Sequence, residues 1–297
     1  MKKVVIITGL TGSGKSSLAI EIAKKYNGEI ISADSVQIYR GLDIGSAKAT
    51  KEEMSGVFHH LIDIKNSNEN YNVGEFVEDC KIAINKITAK NKLPIIVGGT
   101  GLYIKSLIEG YTLGQSKSDL SLRKKYEEMA ENEGNIAVWN ELKRINPDKA
   151  QTVHPNNLKR VIRYIELANN PDIPEKTESI LSDYHCLNVG LIDDRDIIYQ
   201  KINKRVDKMI DLGLEQEVKN LIDNGLTQRH QSMNSIGYKE WFDYFAGIVT
   251  KEQTIELIKQ HTRNYCKRQL TFLKTIGGVE LLNLTQAKEK IERFLND

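Results

Sequence analysis

Lys15 and Ser16 close the stretch "GLTGSGKS", and the four residues between Gly9 and Gly14 give it the spacing of a phosphate-binding loop. The backbone N–H groups of such a loop converge on one point, and the following helix adds the positive end of its dipole. A diphosphate is therefore held without a cage of side chains. Here the cradle is Gly9, Thr11, Gly12, Ser13, Gly14, Lys15 and Ser16. Lys15 supplies a point charge, Thr11 and Ser13 supply hydroxyl donors, and Ser16 can ligate Mg²⁺. A second candidate is Asp34, the one acid at a strand end, in "EIISADSVQIYR". Strand tips of open α/β sheets border the ligand crevice, so Asp34 is expected to face whatever the loop binds.

Apolar runs fix the elements that carry these residues. Val4–Thr8, residues 29–33 and "LPIIV" from Leu93 read as continuously apolar strands. Helical spacing separates them, over 16–26 and 71–90, which implies a parallel sheet covered on both faces. The expected class is α/β, a P-loop NTPase-like sheet flanked by helices, with a helical insertion domain. Its segments are 1–113 for the first part of the core, 114–176 for the charged insertion and 177–297 for core completion with C-terminal helices.

Bulk properties remove several classes of function. With 297 residues, 40% hydrophobic and 28% charged, the chain reads as a globular protein, and a net charge of +2 makes any nucleic-acid surface local. Three scattered cysteines give neither a disulfide framework nor a zinc motif, and no stretch reaches the ~20 apolar residues of a membrane span. A cytoplasmic protein is expected. A regulatory GTPase is disfavoured because "NKLP" lacks the aspartate of the base-reading motif, and no strand ends in a clear Walker B acid.

Four stretches, "GLTGSGKS", "ISADSVQIYRGLDIGSAKAT", "HHLIDI" and "LPIIVGGTGLYIKSLIEG", together resemble the bacterial tRNA dimethylallyltransferase (isopentenyltransferase) family. The likeness continues through "VHPNNLKRVIRYIEL", "GLIDDRDIIYQKINKRVDKMIDLGLEQEV", "SIGYKE" and "RNYCKRQLTFLK". Leu10 and Ala49 stand where the family more often has proline, and Phe272 where it has tryptophan.

The resemblance implies that the loop's diphosphate is a leaving group. A dimethylallyl group would pass from dimethylallyl diphosphate to the exocyclic N6 of the adenine 3′ to the anticodon. Asp34 is then the general base and Thr100 its neighbour at the next strand tip, while Arg195 joins the cradle and Mg²⁺ sits on Ser16. Contacts to the tRNA anticodon stem-loop fall to Asp34, Ser35, Val36, Gln37, Thr100, Arg123, Lys159, Arg160, Arg163, Tyr238, Lys239, Lys267 and Arg268. Gln37 suits an adenine edge and Tyr238 a stacked base. His59 and His60, without a third ligand, read as packing residues. The enzyme is expected to act as a monomer. The alternatives are an isopentenyltransferase acting on free adenine nucleotides and a P-loop kinase of small metabolites.

Overall fold

The computed structural model describes residues 2–110, 120–170 and 178–297. In chain order the elements are β1 (Lys2–Gly9), α1 (Lys15–Lys25), β2 (Gly28–Ser32), α2 (Lys51–Met54), β3 (His59–His60), α3 (Val73–Ala89), β4 (Leu93–Val97) and α4 (Gly101–Glu109). Then come α5 (Leu120–Glu133), α6 (Asn135–Ile145), α7 (Pro147–Gln151) and α8 (Leu158–Ala168). The remainder is β5 (Tyr184–Leu191), α9 (Arg195–Asp211), α10 (Leu214–Asp223), α11 (Trp241–Phe245), α12 (Lys251–Leu273), β6 (Glu280–Leu282) and α13 (Leu284–Asn296).

The six strands form one parallel sheet in the order β3-β2-β4-β1-β5-β6. Alternation along β1 accounts for its two-sided cover. Val4 and Ile6 share a core with Phe76 and Ile84 of α3 and with Ile104 and Leu107 of α4. Val5 and Ile7 pack with Leu18 and Ile22 of α1 and with Ala287 and Ile291 of α13. All four are fully buried, which explains why the run lacks a polar alternate. The short β3 falls on the two histidines. His60 Nε2 lies 2.7 Å from the buried Glu29 carboxylate, to which Lys92 donates at 2.8 Å. Burial would raise that carboxyl; hydrogen bonds from Lys92 and His60 overcome it and hold Glu29 down at about 2. Both histidines belong to the frame, and no cluster of acids, histidines and cysteines suited to a metal occurs among the described residues.

Residues 1–109 and 179–297 form one compact unit and residues 110–178 another. The expected boundaries after 113 and 176 lie outside the described residues. The second unit packs α5, α6, α7 and α8 around Val138, Leu142, Val161, Ile162 and Ile165, with the Trp139 indole donating to the Ala150 and Val153 carbonyls. The three cysteines are free, and no described helix is long and apolar enough to cross a membrane.

The C-terminal ends of β1, β2 and β4 meet where Gly98 passes Ala33: a Cβ on Gly98 would lie 2.0 Å from the Ala33 carbonyl oxygen. Since that neighbour is backbone, only strand displacement relieves the clash. Gly98→Ala should lower stability by about 1–3 kcal/mol, read as a lower urea midpoint at unchanged slope. Gly277→Ala, where a Cβ meets open space, should leave the midpoint in place. Equal midpoints for the two variants would contradict this reading of the strand ends.

Candidate functional site

A cavity of about 460 Å³ opens over these strand ends. Its polar floor carries Lys15, Ser16, Asp34, Thr100 and Arg205, and its apolar wall carries Ile202, Val206, Met209, Ile236 and Ile258. All belong to the unit containing the sheet.

The loop takes its shape from Gly9, Gly12 and Gly14, whose φ angles of 137°, 84° and 91° exclude ordinary side chains. Gly14 delivers the chain directly into α1, so Lys15 and Ser16 occupy its first turn. Lys15 Nζ donates to the Leu10 carbonyl at 2.6 Å. Burial, and then the neighbouring Arg205 charge, hold this ammonium down at about 8. Burial likewise lowers Arg205, while the Asp34 charge raises both cations. Ser16 lines the cavity beside Lys15. Its hydroxyl is a hard oxygen donor at the point where a diphosphate would end. This suits Mg²⁺, which takes few protein ligands and completes its shell with phosphate oxygens and water.

Asp34 lies two residues past β2. Its Oδ1 accepts from Val36 N at 2.9 Å and Gln37 N at 3.3 Å, an Asx turn that fixes the carboxylate on the floor. Oδ2 has no hydrogen-bond partner among the described residues. The Thr100 hydroxyl accepts from Ser35 N at 3.1 Å and so ties the tip after β4 to this turn. Ser35, Val36 and Gln37 all line the cavity.

Several residues differ from their sequence-based assignments. Arg195 starts α9, is exposed, stacks over Tyr199 at 5.1 Å and does not line the cavity. On the same helix it is Arg205, nearly three turns further along, that lines the cavity. Tyr238 is 0% exposed and donates to Glu217 Oε1 at 2.8 Å, so it is a core residue and not a surface for a base. The Gln37 amide is already engaged: Nε2 donates to the Ser46 and Ala47 carbonyls, and Oε1 accepts from Ser32. The donors of Thr11 are spent on Gln269 Oε1, at 2.9 Å from N and 3.1 Å from Oγ1. Arg123 makes a bidentate pair with buried Glu166 at 2.6 and 2.9 Å, and Arg163 reaches the same carboxylate at 3.2 Å. Arg123 thus braces α5 against α8, while Arg163 pairs with Glu166 along α8 itself. Lys159 and Arg160 remain exposed on α8, and Lys239, Lys267 and Arg268 are exposed in the sheet unit. Of those, Lys239 and Arg268 border the cavity.

Gln269 was missed in the sequence. While its Oε1 holds the phosphate loop, its Nε2 donates to the Gly99 carbonyl at 2.9 Å, so α12 bolts loop and strand tip together. Tyr265, one turn earlier, reaches the same carbonyl at 3.3 Å. Phe272 packs on Gly101, where a Cβ would lie 2.5 Å from its ring; the aromatic acts by contact, with no polar group required.

Comparison with known proteins places the chain in one family. A family model described as IPP transferase matches residues 37–276. A tRNA dimethylallyltransferase of Oceanobacillus iheyensis is 44% identical over 100% of this chain and 97% of its own. Among solved structures, a full-length tRNA isopentenylpyrophosphate transferase from Bacillus halodurans superposes with a TM-score of 0.73 at 39% identity, covering 100% of this chain and 96% of its own. A eukaryotic dimethylallyltransferase acting on tRNA superposes with a TM-score of 0.84 at 29% identity, covering 100% and 80%.

The lowered Lys15 has a measurable consequence for anion binding. An alkyl diphosphate is fully ionised above neutrality, since a phosphate ester's last pKa is about 6. Its affinity should then follow the protonated fraction of Lys15. That fraction falls as pH rises through about 8, so affinity should drop roughly tenfold between pH 7 and 9. Arg205→Gln removes a charge that depresses Lys15 and should move this break to higher pH, whereas Arg195→Gln should leave it in place. Titration calorimetry across the range decides. A flat profile, or a break moved by Arg195→Gln instead, would contradict the assignment.

Proposed function

The chain belongs to the IPP transferase family, and on that premise we propose that it transfers a dimethylallyl group from dimethylallyl diphosphate to tRNA, at the N6 amino group of the adenine 3′ to the anticodon. The observation that carries this reading is the make-up of one cavity. A cationic floor fit for a diphosphate, an apolar wall fit for a five-carbon chain and a fixed carboxylate fit to take a proton all border the same space.

The chemistry follows from that placement. An adenine amino nitrogen is weakly nucleophilic because its lone pair is delocalised into the ring. As N6 bonds to the allyl carbon, the carbon–oxygen bond to diphosphate breaks and one N6 proton passes to Asp34. Such general-base help is worth on the order of 10²–10⁴-fold. Charge accumulating on the leaving diphosphate is met by the loop amides, Lys15 and Arg205, fixed dipoles and charges that need no rearrangement during the step. Mg²⁺ on Ser16 would add further charge neutralisation there. No phosphoryl group moves.

The acceptor base must leave its stack to reach Asp34. Lys239 and Arg268 at the cavity rim, with Lys267, Lys159 and Arg160 on exposed helix or loop faces, suit RNA backbone phosphates. Thr100 acts through Ser35 to hold the Asp34 turn, and Arg123 and Arg163 act by keeping α8 in shape. We place the reaction in the cytoplasm, with the enzyme as a monomer.

Incubation with radiolabelled dimethylallyl diphosphate and Mg²⁺, with tRNA, AMP or no acceptor, separates the readings. Label should enter tRNA alone, at the adenine following the anticodon, with one diphosphate released per transfer and no requirement for ATP. Efficient labelling of AMP would favour a free-nucleotide isopentenyltransferase. ATP turnover at a matching rate would favour a kinase.

A further inference from the structure

Outside the cavity, one carboxylate is unusually well coordinated. Glu217 of α10 accepts three consecutive backbone N–H groups, from Asp43 at 3.1 Å, Ile44 at 2.8 Å and Gly45 at 3.1 Å, together with the Tyr238 hydroxyl at 2.8 Å. Hydrogen bonds to an ionised acceptor are roughly twice as strong as neutral ones, and here four converge on one side chain. Burial, and then the Glu217 charge, push the Tyr238 hydroxyl well above its ordinary value, so it stays a donor.

What this carboxylate holds is a wall of the site. The gathered amides begin the turn whose Gly45, Ser46 and Ala47 line the cavity. From that turn the Ser46 and Ala47 carbonyls accept from Gln37 Nε2 at 3.3 and 3.4 Å. Gln37 in turn supplies one of the two amides that donate to the Asp34 carboxylate and fix it, through Gln37 N to Asp34 Oδ1. Gly45 packs flat on the Tyr238 ring, where any Cβ would lie 2.6 Å away. The residues on either side of that tyrosine, Gly237 and Lys239, line the cavity as well. A continuous chain of bonds therefore runs from Glu217 to the Asp34 turn, and none of its members belongs to the phosphate loop.

We propose that Glu217 is a positioning residue for the acceptor half of the site. It fixes the 43–47 turn and, through Gln37, the carboxylate that meets the acceptor nitrogen, while a different side chain, Gln269, holds the phosphate loop. This inference rests on the reading of the protein as a tRNA-directed transferase.

Glu217→Gln is the direct test, because a neutral amide cannot offer four acceptor positions and turns an N–H₂ toward donors. The KM for tRNA should rise at least tenfold, while the dissociation constant of dimethylallyl diphosphate without tRNA stays within twofold. Amide hydrogen exchange should quicken at Asp43, Ile44 and Gly45. Glu217→Asp keeps the charge on a shorter stem and should recover part of the tRNA KM; it also serves as the test variant should Glu217→Gln not fold. Unchanged exchange at the three amides would overturn the proposal, as would equal damage to donor and acceptor constants. If the wild-type protein fails to label tRNA, it is the functional reading that falls. The exchange measurement and the donor constant then still decide whether Glu217 holds the turn separately from the cradle.

Discussion

Two cations share the floor of one cavity, and the rest of the site is organised by that fact. Lys15 and Arg205 repel one another, and burial disfavours the charge on each; Asp34 is the carboxylate that offsets both. A diphosphate would relieve this frustration more fully than Asp34 can, because it brings several negative charges into direct contact with the loop amides. With a diphosphate in place, Asp34 would carry less of the cations' charge, which on the proposed function leaves it to the acceptor.

Holding two like charges in register requires a rigid frame, and α12 supplies it. Gln269 is nearly buried, and both ends of its amide are used, one on Thr11 of the phosphate loop and one on Gly99 after β4. Truncating it would strip the Thr11 N–H of its acceptor and leave the Gly99 carbonyl to Tyr265 alone, at a cost of about 1–3 kcal/mol. The acceptor side is tied separately, by Thr100 to Ser35 and by Glu217 to the 43–47 turn. Donor and acceptor halves therefore rest on different polar bolts over the same strand tips.

How far the sequence disclosed this depended on whether the information was local. The phosphate loop and the Asp34 turn are short-range features written in consecutive residues, and the apolar runs of β1, β2 and β4 announce a parallel sheet. Arg205 was hidden by helix phase. Arg195 and Arg205 share α9, but ten residues separate them by roughly 15 Å along the axis, and only one faces the cavity. The signal was present: Arg205 sits in the stripe Ile202, Val206, Met209, and a cation within an apolar stripe needs an anionic partner. Gln269 lies in a comparable stripe with Cys266 and Leu273. Tyr238 and Gln37 misled for another reason. Their partners, Glu217 and the 43–47 turn, come from elsewhere in the chain, and no local pattern reports such long-range closure. Arg123 and Arg163 looked like a basic face because Glu166, their shared carboxylate, is buried between them.

The central claim is that Asp34 takes the proton as the allyl carbon changes partner. Asp34→Asn keeps the size of the side chain and an oxygen to accept from Val36 and Gln37, yet it cannot accept the proton. Single-turnover transfer at saturating tRNA and dimethylallyl diphosphate isolates this step from product release. The account predicts a fall of roughly 10²-fold or more, about 3 kcal/mol of barrier, with both substrates still bound. A single-turnover rate near that of the wild type would contradict it, reducing Asp34 to a counter-ion for Lys15 and Arg205.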